Sequence, residues 1–535
     1  MNRVFTRRVR EVRPPAFDTA PELLERYLED AAHFPGGRAI AVTRPSTLEE
    51  VSAAVRAARA VLTVGAQSSL TGGATPLQDV VLSTERLRQI EMSGATVSVG
   101  AGVPLTTLQH ELGGRGLWLP PVPTFLGATA GGAASTNAAG AATFKYGTMR
   151  HWIEGLRVVL ADGAVLDLQR GEVVASDEGG FEIATARGVI HVVAPDVRMP
   201  RVPKCSAGYF SAPHMDLVDL FIGAEGTLGA IVDVTFRVAT RSASVCWALV
   251  PIRDEPRAIE LVDTLRSAAQ HTWQSRDPRG VDIAAIEYID CRALELLRED
   301  GVDRRLNVAL ASDTSVVLLM QLELSTTSSA ADLWTELAGA RSGDAPDTPL
   351  TRFCRILDGF GALDETEIVL PDNVARRAAL VDFREATPAS VNRRVARAQA
   401  QVDARIHKTA ADSIVPFDRL AEMMQMCRRL FTERGVDLAV WGHISDGNLH
   451  PNVVPTSYRD IEEGERIMLE LGREVIAMGG SPLAEHGVGR SPLKQELLRL
   501  LYGDAGIQSM RRVKRALDPE GKFARGVLFP FSESA

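Results

Sequence analysis

Hydrophobic residues in the first half of the chain alternate between helical and strand spacing. Small apolar residues recur at the period of one helix face across residues 48–58, and Ser46-Thr47-Leu48-Glu49 before them predicts a capping box. The same analysis predicts strands at 61–64, 80–83 and 97–99, a helix at 104–112 with proline at its first turn, and a hairpin of 156–160 with 165–168. This alternation predicts an α+β domain that extends to about residue 240.

The second half of the chain changes in character after residue 240. Charged helical stretches are predicted at 255–269 and 292–299, a strand at 316–322, a helix within a surface connection at 325–349, and a long basic helix at 374–408. No internal repeat is present.

A second hairpin is predicted around Ser445-Asp446-Gly447-Asn448, because an Asp-Gly turn between apolar runs is a strong hairpin signal. With strands at 436–444 and 449–454, Ile444 would face Leu449 and His443 would face His450. Directly opposed residues have Cβ atoms roughly 4.5 to 5.5 Å apart. Both imidazoles could therefore reach one ion at about 2.0 to 2.1 Å, the usual zinc–nitrogen distance. The alternative is that both histidines are ordinary structural residues of the strands.

Composition and charge narrow the class of protein. The chain has 535 residues, of which 45% are hydrophobic and 24% charged, and these values are typical of globular proteins. Its net charge of −9 argues against a nucleic-acid partner, which normally requires a basic surface. Apolar runs fall short of the ~18 residues of a membrane span. We therefore expect a small-molecule ligand.

The expected location is the cytoplasm. The basic start, residues 1–13, is not followed by the apolar stretch of a secretory signal. Its arginines indicate a solvated tail or, alternatively, peripheral contact with an anionic membrane. The five cysteines are far apart and form no C-x-x-C pair, so an iron–sulfur site is not expected.

Glycine and alanine are concentrated in residues 65–73 and 127–147. Glycine is conformationally costly, so this density requires a reason. Tight turns with close packing are one explanation, and backbone approach to a bound diphosphate is the other. Composition alone leaves both open.

Three segments resemble the FAD-binding domain of the vanillyl-alcohol oxidase / p-cresol methylhydroxylase superfamily. They are Val64-Gly-Ala-Gln-Ser-Ser-Leu-Thr-Gly-Gly73, the stretch from Pro123 to Gly147, and Gly223-Ala-Glu-Gly-Thr-Leu-Gly-Ala-Ile231. The resemblance implies a two-subdomain FAD-binding domain (1–240), an antiparallel-sheet substrate cap domain with the histidine hairpin (241–475), and a C-terminal helical segment that returns to the FAD domain (476–535).

The resemblance also implies which residues contact FAD. They are Gly65, Gln67, Ser68, Ser69, Leu70, Gly72, Gly73, Pro123, Thr124, Thr129, Gly131, Gly132, Ser135, Asn137, Gly140, Tyr146, Gly147, Glu225, Gly226, Gly229 and Ile231. The first loop departs from the family, since Val64, Ala66 and Gln67 stand where relatives have arginine and two glycines. It also lacks the histidine that some relatives bond to flavin, so noncovalent FAD is expected.

Two later motifs resemble those of the D-lactate, D-2-hydroxyglutarate and glycolate dehydrogenase group. They are Trp441-Gly-His-Ile-Ser-Asp-Gly-Asn-Leu-His450 and Ala484-Glu-His-Gly-Val-Gly489. The resemblance implies that His443, His450 and Glu485 bind a divalent metal and that His486 is the general base. Two histidines and one carboxylate with an open position are typical of catalytic zinc, with manganese or iron as alternatives. The product would be a 2-keto acid.

The substrate and partners follow from the same resemblance. Arg384 is the expected carboxylate ligand, since a guanidinium can bind both oxygens, and Lys408 is a second candidate. A solvated helix face is the alternative for Arg384. Tyr209 and Asn448 are further pocket candidates. The stretch 170–203 is longer than in relatives, and the sequence indicates no role for it.

The expected electron acceptor is a quinone, a cytochrome or an electron-transfer flavoprotein rather than NAD, because no strand is followed by the G-x-G-x-x-G turn of NAD-binding domains. A homodimer is left open. Two other functions remain alternatives: a non-redox transferase of the alkylglycerone-phosphate synthase type, and an FAD-binding subunit of a glycolate oxidase complex.

Overall fold

The computed structural model describes residues 2–120, 123, 125–241, 244–324, 329–341 and 345–530. Its strands are β1 (Arg3–Phe5), β2 (Arg38–Thr43), β3 (Val61–Val64), β4 (Leu77–Ser83), β5 (Ile90–Ser93), β6 (Thr96–Gly100), β7 (Leu117–Trp118), β8 (Ile153–Val159), β9 (Val165–Gln169), β10 (Gly180–Thr185), β11 (Gly188–Val193), β12 (Ala230–Arg237), β13 (Ala239–Thr240), β14 (Ser244–Ile252), β15 (Ile283–Asp290), β16 (Val316–Leu324), β17 (Glu367–Val369), β18 (Ser413–Ile414), β19 (Leu438–His443) and β20 (Asn448–Val453).

Its α-helices are α1 (Pro21–Leu24), α2 (Leu48–Ala57), α3 (Leu105–Gly113), α4 (Ala130–Ser135), α5 (Thr143–Tyr146), α6 (Leu217–Phe221), α7 (Glu255–Ser275), α8 (Cys291–Glu299), α9 (Val302–Arg305), α10 (Ala330–Gly339), α11 (Pro349–Gly359), α12 (Val374–Gln401), α13 (Leu420–Arg434), α14 (Tyr458–Ala477) and α15 (Pro492–Leu517). In the part of the chain that the structure describes, no helix has the length and apolar character needed to cross a membrane.

The chain divides into two compact units. The first contains Met1–Gly140, Gly147–Arg241 and Leu483–Ala535, and the second contains Ala141–Tyr146 and Ser242–Pro482. The sequence-based boundaries were 240 and 475. The later division falls beyond 475 because α14 runs unbroken to Ala477 and packs against α13 within the second unit.

The first unit is built around two sheets. Strands β2, β4 and β3 form a parallel sheet in that order, and β5-β6-β12-β8-β9 form an antiparallel sheet. The predicted hairpin of β8 with β9 is confirmed, and Gly163 in its turn has a φ of 81° that favours glycine. Valines and leucines on the inner faces of these strands are fully buried and form the core.

The start of α2 differs from the prediction by one residue. Thr47 is the N-cap, and its side chain accepts a hydrogen bond from the Glu50 N–H. Ser46 donates instead to the Glu50 carboxylate through both its N–H and its hydroxyl. The predicted capping box with Ser46 and Glu49 is therefore wrong, because the helix begins one residue later.

The stretch 170–203 contains a hairpin. Strands β10 and β11 pair antiparallel, and β1 from the N-terminus adds to β10 in parallel. The stretch therefore extends the first unit with a three-stranded sheet.

The second unit is organised on one sheet of seven strands in the order β17-β14-β16-β15-β19-β20-β18, and all of its pairs are antiparallel. The predicted antiparallel sheet is therefore confirmed. The long basic helix α12 ends at Gln401 rather than at 408. Strand β15 is buried along its whole length, so its polar side chains require partners inside the unit.

Candidate active site

The histidine hairpin forms, but its register differs from the prediction. Strands β19 and β20 pair with His443 opposite Asn448 and Trp441 opposite His450. A single 3₁₀ turn over Ile444–Asp446 closes the loop, and Gly447 follows with a φ of 80°. The turn holds four residues between the strands, and the two-residue difference in pairing moves His450 to the position diagonal to His443.

The two imidazoles still lie together. Residues on a diagonal of an antiparallel pair share one face and remain within reach of long side chains. The ring centroids of His443 and His450 are 5.7 Å apart, with an angle of 89° between the ring planes. Both side chains are buried, with residue exposures of 1% and 5%. The sequence correctly predicted that the two imidazoles lie close together. The predicted pairing of His443 opposite His450 was wrong.

Each imidazole faces a buried carboxylate through Nδ1. His443 Nδ1 lies 3.1 Å from Glu287 Oε1 on β15, and His450 Nδ1 lies 3.5 Å from Asp412 Oδ1. Metal-binding histidines commonly direct one ring nitrogen to a carboxylate, which fixes the ring and directs the other nitrogen to the metal. The donor set of two imidazoles with carboxylates behind them therefore fits a divalent metal of the zinc, manganese or iron type.

Glu287 also accepts a hydrogen bond from Arg384, the residue predicted to bind the substrate carboxylate. The Arg384 guanidinium projects from α12 and donates through Nη2 to Glu287 Oε2 at 3.1 Å. Burial by itself would raise the pKa of Glu287, but the charges of Arg384 and His443 and their hydrogen bonds lower it to about 2. Glu287 is therefore a buried carboxylate held in its charged form. Arg384 is buried rather than on a solvated helix face.

Two other pocket candidates of the second unit occupy different environments. Lys408 has an exposed side chain on the loop after α12. The Asn448 amide is fully buried and donates to the Ser413 carbonyl at 2.9 Å and to Asp412 at 3.3 Å. Asn448 therefore links β20 to β18 beside the histidine pair.

The second motif lies in the first unit, where Glu485 is at the centre of a charged cluster. Lys204 Nζ lies 2.8 Å from Glu485 Oε2, and the lysine side chain is completely buried. His486 Nε2 lies 3.4 Å from Glu485 Oε1, and 27% of the imidazole side chain is exposed. Glu485 is thus held by a cation, while the neighbouring imidazole has access to solvent or a small molecule.

Glu225 fixes the loop that follows this motif. Its two carboxylate oxygens accept hydrogen bonds from Val488 N–H and Gly489 N–H, both at 2.8 Å. Burial raises the pKa of Glu225 to about 7, although these backbone donors lower it. A Cβ on Gly487 would meet the Glu225 carboxyl carbon at 3.0 Å, so glycine allows this close approach.

The first glycine-rich loop has the form of an anion-binding segment. Among the described residues, no protein group accepts a hydrogen bond from the N–H groups of Gln67, Ser68 and Leu70. The Ser69 hydroxyl instead shapes the loop by accepting from Gly73 N–H at 3.1 Å. Successive unbonded amides can bind a phosphate. This backbone arrangement fits the diphosphate of FAD.

The three flavin motifs come together in the first unit. A Cβ on Gly65 would lie 2.3 Å from Thr129 Oγ1, so the first loop packs directly on the start of α4. Thr129 caps α4 by accepting from Gly132 N–H, and Gly131 packs against Ala101. The third motif joins α4 through Glu225 N–H, which donates to the Ser135 carbonyl at 2.8 Å.

The remaining cofactor candidates divide between the two units. The first unit contains Gly72, Gly73, Pro123, Asn137, Gly140, Gly147, Gly226, Gly229 and Ile231. Thr124 lies outside the described residues. Tyr146 belongs to the second unit, where its hydroxyl donates to Glu323 at 2.7 Å. The pocket candidate Tyr209 is fully buried in the first unit with its hydroxyl 2.7 Å from Thr227 Oγ1, so it packs in the core.

Sequence reasoning missed three charged residues of these clusters. Glu287 and Asp412 stand behind the histidines, and Lys204 faces Glu485. The signal for Glu287 was a carboxylate inside the mainly apolar run 283–289, since charged residues are rarely buried without a partner. Asp412 and Lys204 lie in loops that gave no comparable signal.

Comparison with known proteins agrees with this architecture. The family model "FAD linked oxidases, C-terminal domain" matches residues 253–528, and the model "FAD binding domain" matches residues 39–169. The chain is 26% identical over 528 residues to D-lactate dehydrogenase of Archaeoglobus fulgidus, with 95% of each chain covered. It is 27% identical over 518 residues to the mitochondrial D-2-hydroxyglutarate dehydrogenase of Bos taurus, covering 94% of this chain and 79% of the relative.

A solved structure shares the fold. The structure of an alkyldihydroxyacetonephosphate synthase superposes with a TM-score of 0.59 at 13% sequence identity, covering 96% of this chain and 87% of the other. At this identity the likeness concerns the fold alone. Together with the family models, it confirms the predicted α+β fold class with an FAD-binding domain and an antiparallel sheet in the later part.

Proposed function

The chain belongs to the family of FAD-linked oxidases, and on that premise we propose that it oxidises a D-2-hydroxy acid of the lactate, glycolate or 2-hydroxyglutarate type to the 2-keto acid. It is an FAD-linked oxidoreductase, and similarity to D-lactate and D-2-hydroxyglutarate dehydrogenases over nearly its whole length supports this substrate class. The observation that carries the proposal is the pair of buried carboxylate–imidazole contacts at His443 and His450.

We assign a divalent metal, zinc in the first instance, to His443 and His450 with Glu485 as the third ligand. The two imidazoles lie in one unit and Glu485 in the other, so the complete ligand set is part of the proposal. Such a metal supplies positive charge that stabilises alkoxide character on a hydroxyl oxygen. Support comes from the buried imidazole pair and its carboxylates.

FAD is the cofactor, and when bound it would supply the acceptor for the hydride that leaves C2 of the substrate. The diphosphate is assigned to the unbonded amides of the first loop. The loop's side chains do not include a histidine for covalent attachment, which supports noncovalent binding. Electrons would leave to a quinone, a cytochrome or an electron-transfer flavoprotein.

The chain's own residues handle the substrate's proton and carboxylate in this proposal. His486 accepts the hydroxyl proton, since a neutral imidazole nitrogen can act as a general base and this side chain is partly exposed. Arg384 binds the carboxylate. We prefer Arg384 to Lys408 because it is buried near His443 through their shared partner Glu287, whereas Lys408 is exposed.

Anaerobic mixing with D-lactate, glycolate and D-2-hydroxyglutarate tests the proposal. We expect lasting bleaching of the flavin absorbance with one of these acids, and slower bleaching after chelation that added Zn²⁺ or Mn²⁺ restores. Bleaching that is insensitive to chelation would contradict the metal role. Absence of lasting reduction with all three acids would contradict the dehydrogenase and favour a non-redox transferase.

A His486→Ala substitution tests the proton acceptor. We expect flavin reduction to slow by about 10²- to 10⁴-fold, the usual contribution of a general base, while FAD and metal contents stay at the wild-type level. The matched control is His407→Ala, which removes a half-exposed imidazole that faces Glu465 on the surface. A His486→Ala protein as fast as the control would refute the assignment.

A further inference from the structure

Glu287 uses its two carboxylate oxygens for two different tasks. Oε1 lies 3.1 Å from His443 Nδ1, and Oε2 lies 3.1 Å from Arg384 Nη2. The residue is buried, so water does not compete effectively with either contact. The first contact orients an imidazole assigned to the metal, and the second orients the guanidinium assigned to the substrate carboxylate.

These partners come from separate elements of the second unit. His443 ends β19, which pairs with β15, and Arg384 lies near the middle of α12. Among the described residues, Glu287 is the group that accepts from Arg384. A change at Glu287 therefore reaches both the end of β19 and the buried face of α12.

We propose that Glu287 is a positioning residue that fixes His443 and Arg384 relative to each other, so that metal affinity and recognition of the substrate carboxylate depend on one buried side chain. This inference rests on the proposed function. Glu287 itself is assigned neither to the metal nor to the substrate. It acts through His443, which is assigned to the metal, and through Arg384, which is assigned to the substrate carboxylate.

The chemistry of the carboxylate explains why a neutral replacement would fail. An ionised carboxylate offers only acceptors, so it can face an imidazole N–H and a guanidinium N–H at the same time. The amide of glutamine offers one acceptor and one donor group. In Glu287→Gln the amide nitrogen must oppose one of the two donors, and that contact becomes repulsive in a buried site.

The test uses the purified FAD-containing protein and two measurements. Zn²⁺ affinity is measured by competition with a chromophoric chelator, and KM and kcat are measured with the acid that bleaches the flavin. We expect Glu287→Gln to weaken Zn²⁺ binding by about 10- to 100-fold, the usual effect of losing the carboxylate behind a metal-binding histidine, and to raise KM. Arg384→Lys should raise KM and leave Zn²⁺ affinity unchanged.

Asp290→Asn is the matched control, because Asp290 is a buried carboxylate on the same strand that contacts Arg428. It should change neither Zn²⁺ affinity nor KM. A Glu287→Gln protein that changes only one of these quantities, or neither, would overturn the inference.

If Glu287→Gln does not fold, as judged by flavin absorbance and thermal unfolding, Glu287→Asp replaces it. Aspartate keeps the charge but is one methylene too short for both contacts, so the same joint change is expected at smaller size. Wild-type values for Glu287→Asp would overturn the inference. Failure of the proposed function is distinct: the wild-type protein itself would then bind no Zn²⁺ or would not be reduced by any of the three acids.

Discussion

The flavin loops of the first unit and the histidine hairpin of the second unit offer different kinds of groups for binding. The first loop presents backbone N–H groups of Gln67, Ser68 and Leu70, and its surface is partly open to solvent. The hairpin presents side chains, His443 and His450, that are buried and held by carboxylates. Where backbone N–H groups make the contacts, replacing an exposed side chain should matter less than adding volume that displaces the backbone. Where the side chains themselves make the contacts, replacing either imidazole removes a contact outright.

This difference predicts that cofactor and metal can be lost separately. Among the substitutions that separate the two regions, the most damaging should be His443→Ala, which removes one ligand of the proposed metal. Loss of a metal's charge stabilisation is worth several kcal/mol, so flavin reduction by substrate should slow by about 10³-fold.

The measurement is stopped-flow flavin reduction with metal content by mass spectrometry. FAD content should match that of the His407→Ala control. If His443→Ala lost FAD together with metal, the prediction that the two regions bind their ligands independently would be contradicted.

A substitution in the first loop should give the opposite result. A Cβ on Gly65 would lie 2.3 Å from Thr129 Oγ1, the atom that caps α4, so Gly65→Ala must displace either the loop or the cap. Overpacking of this kind costs about 1–3 kcal/mol, and FAD affinity should fall by about 10- to 100-fold with metal content unchanged.

FAD retained after gel filtration gives the readout for Gly65→Ala. The control is Gly113→Ala at the end of α3, where an added Cβ meets no atom within 4 Å. Equal FAD retention by the two variants would show that the contact of the loop with α4 does not shape the cofactor site.

The smallest expected effect concerns two buried carboxylates of the second unit. Glu287 and Asp290 are both buried on β15, yet the pKa of Glu287 falls to about 2 while burial raises the pKa of Asp290 to about 6, despite the helix-capping bond from Ala293 and the charge of Arg428. Arg384 and His443 hold Glu287 at 3.1 Å, whereas Arg428 is 3.5 Å from Asp290.

Since the folded pKa of Asp290 is raised, its contribution to stability is fully present below about pH 4, the pKa of an unfolded aspartate, and is lost as pH rises through about 6. Asp290→Asn keeps the acceptor that caps α8 and cannot ionise. Its stability relative to wild type should therefore increase by about 2 kcal/mol between about pH 4.5 and about pH 8. Denaturant unfolding at both pH values measures this change, and a constant difference would refute the raised pKa.

The pattern of apolar residues predicted many elements well. Strand β3 has the predicted bounds, and α2, α8, β9 and the β8–β9 hairpin agree to within a few residues. Local periodicity and turn chemistry act over short distances, so they can be deduced from neighbouring residues. Where the local signal was shared between adjacent candidates, as at Ser46 and Thr47, the position shifted by one residue.

The hairpin of His443 and His450 shows the limit of local reasoning. The Asp-Gly turn correctly predicted two strands with both histidines on one face, but the 3₁₀ turn and the left-handed Gly447 set a different register. Loop geometry depends on backbone angles that the dipeptide does not fix uniquely.

The sequence by itself determined the fold class, the FAD-binding motifs and the identity of the two histidines, because these depend on periodicity and on motifs that are contiguous in the chain. Only the tertiary structure placed Glu287 behind His443 and Arg384, Asp412 behind His450, and Lys204 beside Glu485. These contacts join residues from 38 to 281 positions apart. Burial makes such charged partners necessary, but which residue meets which is decided by the packing of strands and helices that no local pattern encodes.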